Sequence, residues 1–590
     1  MKKLSVLYIV SVLVFLLISS CSENFLDTKP STEFSEQDVW TDVALAQAYV
    51  NNLYNRLPWG WAPNAEDVDE SRSRQEAGFA FNNMLISSDE NGRGDWAGNY
   101  ASIRACNIFL ENIAKIPEST DLTDGKTLKD RMEGEVRFLR AWYYFRLVSN
   151  FGGVPLITKA YLLTDDFTIA RNTYAECVTF ISDECDKAAA LLPPVNTGNA
   201  NGRATKGAAL ALKSRILLYA ASDMHDNASE FSDFSKPELL GYVSGSQADR
   251  WKAAKDAAKA VIDLSLYSLY KPDPASGEEA SQNYEDLFVS RESEEDIFVR
   301  FFTASLGKGV DGWVLSPNGW WGNGAVGAIN ELVDDYEMTD GTRFSRSIPE
   351  QALEPYKNRD PRFYGTLLYE GAKWRVRPSD LIGIDPVGVL QIGTWQKWDN
   401  ATSDTVFVYG LDSRNSVANS WNNNYTGTIM HKTLDRSVDI RASNQDLTAR
   451  YFRYAEMLLN YAEACNELGE DVEARTYLNM IRQRAFMLDI TESGDALRAR
   501  IRNERRIEMA FEGQRFFDVR RWLIGSAAYH NVYGVTAVYK LNPDHTTTTI
   551  PTITPYMYMT GSWDKKAYFM PISRGEMNKN DLLIQNPGYN

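Results

Sequence analysis

Residues Tyr451 to Trp522 constrain the fold more than any other stretch of the chain. The run RYAEMLLNYAEACNELGE puts Tyr454, Leu458, Tyr461, Cys465 and Leu468 at three- and four-residue steps, one face of a helix. Gly469 stops that helix, and Tyr477, Leu478 and Ile481 predict a second one behind it. The small residues Ala462 and Ala474 stand where two antiparallel helices of a tetratricopeptide-type hairpin would cross closely. A third piece gives Leu497, Ile501 and Phe511 to the core and carries Glu504, Arg505, Arg506, Glu508, Glu512, Arg515 and Asp518 between them. Charges so interleaved predict ion pairs along a solvated or bridging face, each worth roughly a few tenths of a kcal/mol. They read as scaffold rather than as acid–base catalysts.

At the other end, Met1-Lys2-Lys3 is a basic start and Leu4 to Ile18 an apolar run too short to span a bilayer comfortably. It closes on LISSC, which resembles a bacterial lipobox and predicts cleavage before Cys21 with acylation of that cysteine. A polar tether through Pro30 follows. Val43, Ala46, Val50, Leu53 and Leu57 then form a helical stripe. Further helices are expected at 102–116, 128–149, 174–192, 205–221 and 249–264, punctuated by FGGVP and LLPP. From about Tyr267 to Thr448 the pattern changes to short β-like pieces (297–302, 405–409) among Gly-, Asn- and Trp-rich loops. Loops of that kind on a helical frame are where binding usually sits.

Several blocks carry a family resemblance in the same order: SIRACNIFLENI, EVRFLRAWYYFRLVSNFGGVPLI, GRATKGAALALKSRILLYAA, ELVDDYEMTDGTRF, RDPRFYGTLLYEG, RYAEMLLNYAEACNELG, the Glu504–Trp522 run and FMPISRGEMNKN. Together they resemble the SusD/RagB family of outer-membrane lipoproteins, which bind nutrients and hand them to a TonB-dependent transporter. The resemblance implies a mainly α fold: a tetratricopeptide-like scaffold of helical hairpins with long irregular loop insertions and a few short strands. It also implies a surface-exposed outer-membrane location and a SusC-like transporter as partner. The expected organisation is a signal peptide (1–20), a lipidated tether (21–35), an N-terminal helical region (36–266), a loop-rich ligand face (267–448) and a C-terminal helical region (449–590).

Composition narrows the ligand. Lys and Arg total 62 against 79 Asp and Glu, a net charge of −17, which argues against nucleic acid. It also disfavours a strongly anionic ligand, unless a local basic pocket overrides the net field. With 15 Trp and 30 Tyr, part of the aromatic excess is expected on a binding surface. Three clusters offer a flat ring beside hydrogen-bonding side chains, the combination a pyranose needs. They are Trp59 and Trp61; Trp96 with Asn99 and Tyr100; and Trp313 with Asn318, Trp320 and Trp321. Trp320 and Trp321 are expected to be exposed, since adjacent residues rarely both face inward. The resemblance places Trp96, Asn99 and Tyr100 in a glycan-binding loop and Trp313, Trp320 and Trp321 near another.

Catalytic and metal motifs are missing from the sequence. His225, His431, His530 and His545 have no ligand spacing, and there is no Walker loop or GxSxG elbow. DENGRGDW starts like a calcium loop, but Arg93 and Tyr100 occupy positions that need oxygen ligands. No cofactor is expected; a structural calcium elsewhere is not readable. The expectation is an oligosaccharide-capturing lipoprotein that is not an enzyme. The alternatives are a RagB-like peptide importer on the same frame, a glycan-degrading enzyme with a carboxylate pair in an aromatic cleft, and a purely structural lipoprotein.

Overall fold

The computed structural model describes residues 36–589 except 61–64, 74–83, 90–92, 119–124, 163, 228, 308, 311, 419–423 and 439–444. The expected acylation site Cys21 and Trp61 therefore lie outside the described residues. The fold is mainly helical. Helices Trp96–Asn112, Leu128–Phe151, Tyr174–Leu191, Lys206–Ala221 and Gln247–Ile262 pack each on the next. Their starts are written locally: Thr127 with Asp130 and Thr173 with Glu176 form reciprocal capping boxes that satisfy otherwise orphaned amides. Leu128–Phe151 ends at Gly152, whose φ of 78° suits glycine; a Cβ there would lie 2.4 Å from the Leu239 carbonyl oxygen.

The stack does not stop where the loop-rich region begins. Helix Gln247–Ile262 packs directly on helix Tyr454–Glu467, so the C-terminal hairpin continues the N-terminal array across an insertion of nearly two hundred residues. Tyr454–Glu467 and Asp471–Arg484 form that hairpin, with Ala462 and Ala474 fully buried between apolar residues. Gly494–Glu508 closes it.

Short strands cover the remainder. β1 (Ser71–Ser73) pairs with β3 (Val326–Ala328), β2 (Asp296–Phe302) with β8 (Leu447–Arg453), and β4 (Leu367–Leu368) with β7 (Ile429–Met430), all antiparallel. A four-stranded sheet runs β10 (Thr552–Met559), β9 (Val532–Tyr539), β5 (Thr394–Asp399), β6 (Asp404–Tyr409), with β5 and β9 parallel. A second apolar core under the insertion, with Trp320, Leu332, Phe363 and Trp374, is completed by Ile507, Ala510 and Phe511 from the C-terminal region.

The charged run of that region corrects the expectation of a solvated face. Glu504, Arg505, Arg506, Glu508 and Asp518 are buried. Glu508 receives Arg453 at 2.7 Å, Arg362 at 3.0 Å and Arg484. Glu295 receives Arg453 and Arg484, each at 3.0 Å, and Glu504 receives Arg362 at 2.6 Å and Arg482 at 2.8 Å. Burial alone would raise the Glu508 carboxyl, but the Arg484, Arg453 and Arg362 guanidiniums outweigh it and hold it well below the carboxylate range. The helices face inward here because the insertion packs over them, so these charges bridge two parts of the fold away from water.

Candidate functional site

A cavity of about 380 Å³ opens where the stack, the insertion and the C-terminal region meet. Each wall comes from a different element. Helix Leu128–Phe151 presents Trp142, Phe145 and Arg146, and helix Lys206–Ala221 presents Arg215 and Tyr219. Strand β8 contributes Leu447 to Tyr451, and the turn after Gly494–Glu508 contributes Phe511 to Gln514. The segment after the first helices brings Pro58 and Trp59. β8 is fixed in place by its ladder with β2 and by Arg453 at its end, which reaches Glu508 and Glu512.

The wall is aromatic and tightly joined. Tyr451 packs edge-on against Trp142 with centroids 5.3 Å apart, and its hydroxyl donates to the Pro58 carbonyl at 2.5 Å. That bond ties the Trp59 segment to β8. Trp59 is 45% exposed. Gly94 faces the Phe151 ring so closely that a Cβ would sit 2.6 Å from it, and its φ of 85° is one glycine adopts freely. Three buried donors in the wall lack partners among the described residues: Trp142 Nε1, Arg450 Nη1 and the Thr433 hydroxyl. The one carboxylate lining the cavity among the described residues is Glu512, which accepts from Lys432 at 2.7 Å. Burial pulls the Lys432 ammonium down to about 8, and the Glu512 carboxylate opposes that pull.

Of the candidate ligand-binding residues that the structure describes, Trp59 lines this cavity and the others lie elsewhere. Trp96 is buried against Phe151 and Tyr100, with centroids 5.1 Å away in both cases. Asn99 is buried and spends its amide on the Gly94 and Asp95 carbonyls at 2.8 and 2.7 Å. Tyr100 donates to the Pro155 carbonyl at 2.8 Å. The Trp96 and Tyr100 rings line a separate trough of about 550 Å³ with Tyr161 and Phe167. The acidic loop that resembled a calcium site is otherwise engaged: Asp89 pairs with Arg574, and Asp95 caps helix Trp96–Asn112.

The expected exposure of Trp320 is wrong. Its ring is 2% exposed, Arg377 stacks on it with Cζ 3.5 Å from the centroid, and its indole N–H donates to the Arg375 and Val376 carbonyls at 3.2 Å. The Gly/Asn loop supplied no neighbour in sequence, but Arg377 and the second core supply one in space. Asn318 is buried too, donating to the Ser413 carbonyl at 3.1 Å. Trp321, at φ 64°, turns its ring aside to Asp380, and Trp313 is 44% exposed on the short helix Gly312–Leu315.

Most of the residues that build the cavity were missed because they sit inside helices and a strand. Their one visible signal was a helix apolar on all sides, FLRAWYYFRLVSNF, that nevertheless carries arginines.

Comparison with known proteins places this geometry in context. The model of the SusD family matches residues 290–589, and a second model, described as starch-binding associating with outer membrane, matches residues 24–218. The SusD-like protein P38 of Formosa agariphila is 25% identical over 550 residues, covering 88% of this chain and 91% of that one. A SusD-like protein from Bacteroides fragilis superposes with a TM-score of 0.73 at 28% identity, covering 95% of this chain and 100% of that one. A SusD-like carbohydrate-binding protein from the same species superposes with a TM-score of 0.69 at 23% identity, covering 92% and 99%.

Proposed function

The chain belongs to the SusD family, and we propose that it is a cell-surface lipoprotein that captures an oligosaccharide in the cavity beneath Trp59 and delivers it to a TonB-dependent transporter. The observation that carries the reading is the cavity wall. A half-exposed indole, Trp59, with further aromatic rings and the partly exposed Arg146 along the same wall, is the combination a sugar's apolar face and hydroxyl rim require. The outer-membrane association in the second family description and the carbohydrate-binding relative support it. The lipobox at Cys21 would anchor the protein through several acyl chains, enough for stable attachment. Against catalysis stands the single lining carboxylate among the described residues, because glycoside hydrolysis ordinarily uses two.

The test is affinity electrophoresis of the full-length protein in detergent through gels containing plant, host or microbial polysaccharides. Retardation without shortening of the polymer is the expected result. Shortening would make the protein an enzyme, and no retardation by any polymer would favour a short oligosaccharide or peptide as the ligand.

A further inference from the structure

The charged residues that line the cavity are mostly cationic in a protein of net charge −17. Among the described residues they are Arg93, Arg146, Arg215, Lys432, Arg450 and Glu512. Four of the cations are paired with a carboxylate: Arg93 with Asp67, Arg215 with Glu456, Arg450 with Asp296, and Lys432 with Glu512, which Arg453 shares. Arg146 has none. It makes no ion pair and no side-chain hydrogen bond among the described residues, and it is the one residue from Phe138 to Phe151 that is not buried. Burial lowers its guanidinium from the ordinary range, and the nearby Asp95 charge opposes this without touching it, since the Asp95 side chain caps the Gly98 amide at 3.1 Å. An arginine remains charged under such shifts. Among the described residues Arg146 is therefore the one lining cation without an ion pair, with aromatic rings around it.

We infer that the oligosaccharide carries an acidic group, a uronate carboxylate or a sulfate ester, that docks on Arg146. The inference rests on the glycan-binding reading of the same cavity. The planar guanidinium matches either group with two parallel N–H donors, and in a recessed site that interaction is screened little by salt. The protein's net negative field is no obstacle, because beyond about 8 Å it is largely screened at physiological ionic strength.

The experiment measures binding of the full-length protein in detergent to two matched pairs. One is oligogalacturonate and its carboxyl-reduced counterpart; the other is a sulfated galactan oligosaccharide and its desulfated counterpart. The expected result is that the acidic member of one pair binds about tenfold tighter than its neutral partner, that Arg146→Gln abolishes the difference, and that the pair showing it identifies uronate or sulfate. Arg146→Lys, which keeps the charge without the fork, should retain part of the preference; it serves as the readout if the Gln variant does not fold. Equal binding within both pairs overturns the acidic-ligand inference and leaves the glycan reading standing. Preference intact in Arg146→Gln overturns the role of Arg146. No binding by any of the four contradicts both.

Discussion

Arg453 and Glu508 meet 2.7 Å apart in the interior, joining the end of the strand that lines the cavity to the end of the helix that closes the C-terminal hairpin. Neither side chain is more than 1% exposed, and Arg362 and Arg484 share the same carboxylate. The position of β8, and with it one wall of the site, depends on this cluster.

Removing one member leaves buried charges unmatched. Glu508→Gln should cost ~3–5 kcal/mol in denaturant unfolding. Arg498→Gln, which breaks a partly exposed pair with Glu467 at 2.7 Å, should cost ~1 kcal/mol or less. Equal losses for the two variants would mean the buried cluster contributes no more than a surface bridge.

Trp320 is the second structural anchor. Trp320→Ala should lower stability by ~3–5 kcal/mol, as large-to-small substitution in a packed core does. A variant that melts like the parent would put that ring back on the surface.

Stability should also carry a pH signature from Glu370. Burial raises its carboxyl from the usual 4.5 to about 7, although the Tyr539 hydroxyl and the Ile392 and Gly393 amides work against the shift. A carboxyl raised in the folded state contributes stability that is fully present below about pH 4.5 and is lost as pH rises through about 7. At ~1.4 kcal/mol per unit the full effect is roughly 3 kcal/mol. The difference in melting temperature between wild type and Glu370→Gln should therefore move in favour of the variant between about pH 4.5 and pH 8. A difference that stays constant over that range would show that Glu370 does not titrate upward.

The helical frame was legible because its signals are local. Helix Leu128–Phe151 follows from its apolar residues and the Thr127 cap, and Gly152 and Pro193 mark where it and its neighbour Tyr174–Leu191 stop. β9 and β10 went unread although Val532–Tyr539 and Thr552–Met559 are rich in Val, Thr and Tyr, since the twelve residues between them are longer than a two-residue hairpin loop. The cavity was the least legible part. Trp59, Arg146 and Tyr451 are hundreds of residues apart or lie inside helices and strands, and only the tertiary fold brings them to one wall. Loop composition pointed instead to Trp320, whose burial depends on Arg377, 57 positions further on in another segment.

Membrane attachment is tested apart from the fold. Cys21→Ala should shift the protein from the membrane fraction to the soluble one on cell fractionation. Retention at the membrane would remove the lipobox reading.

The most direct test of the cavity as the glycan site compares two tryptophans of matched exposure, Trp59 at 45% and Trp313 at 44%, of which only Trp59 lines it. Affinity electrophoresis on a retarding polysaccharide should show retardation lost in Trp59→Ala and kept in Trp313→Ala, with both variants melting close to wild type. Retardation kept in Trp59→Ala and lost in Trp313→Ala would contradict the account and move the site to the loop face.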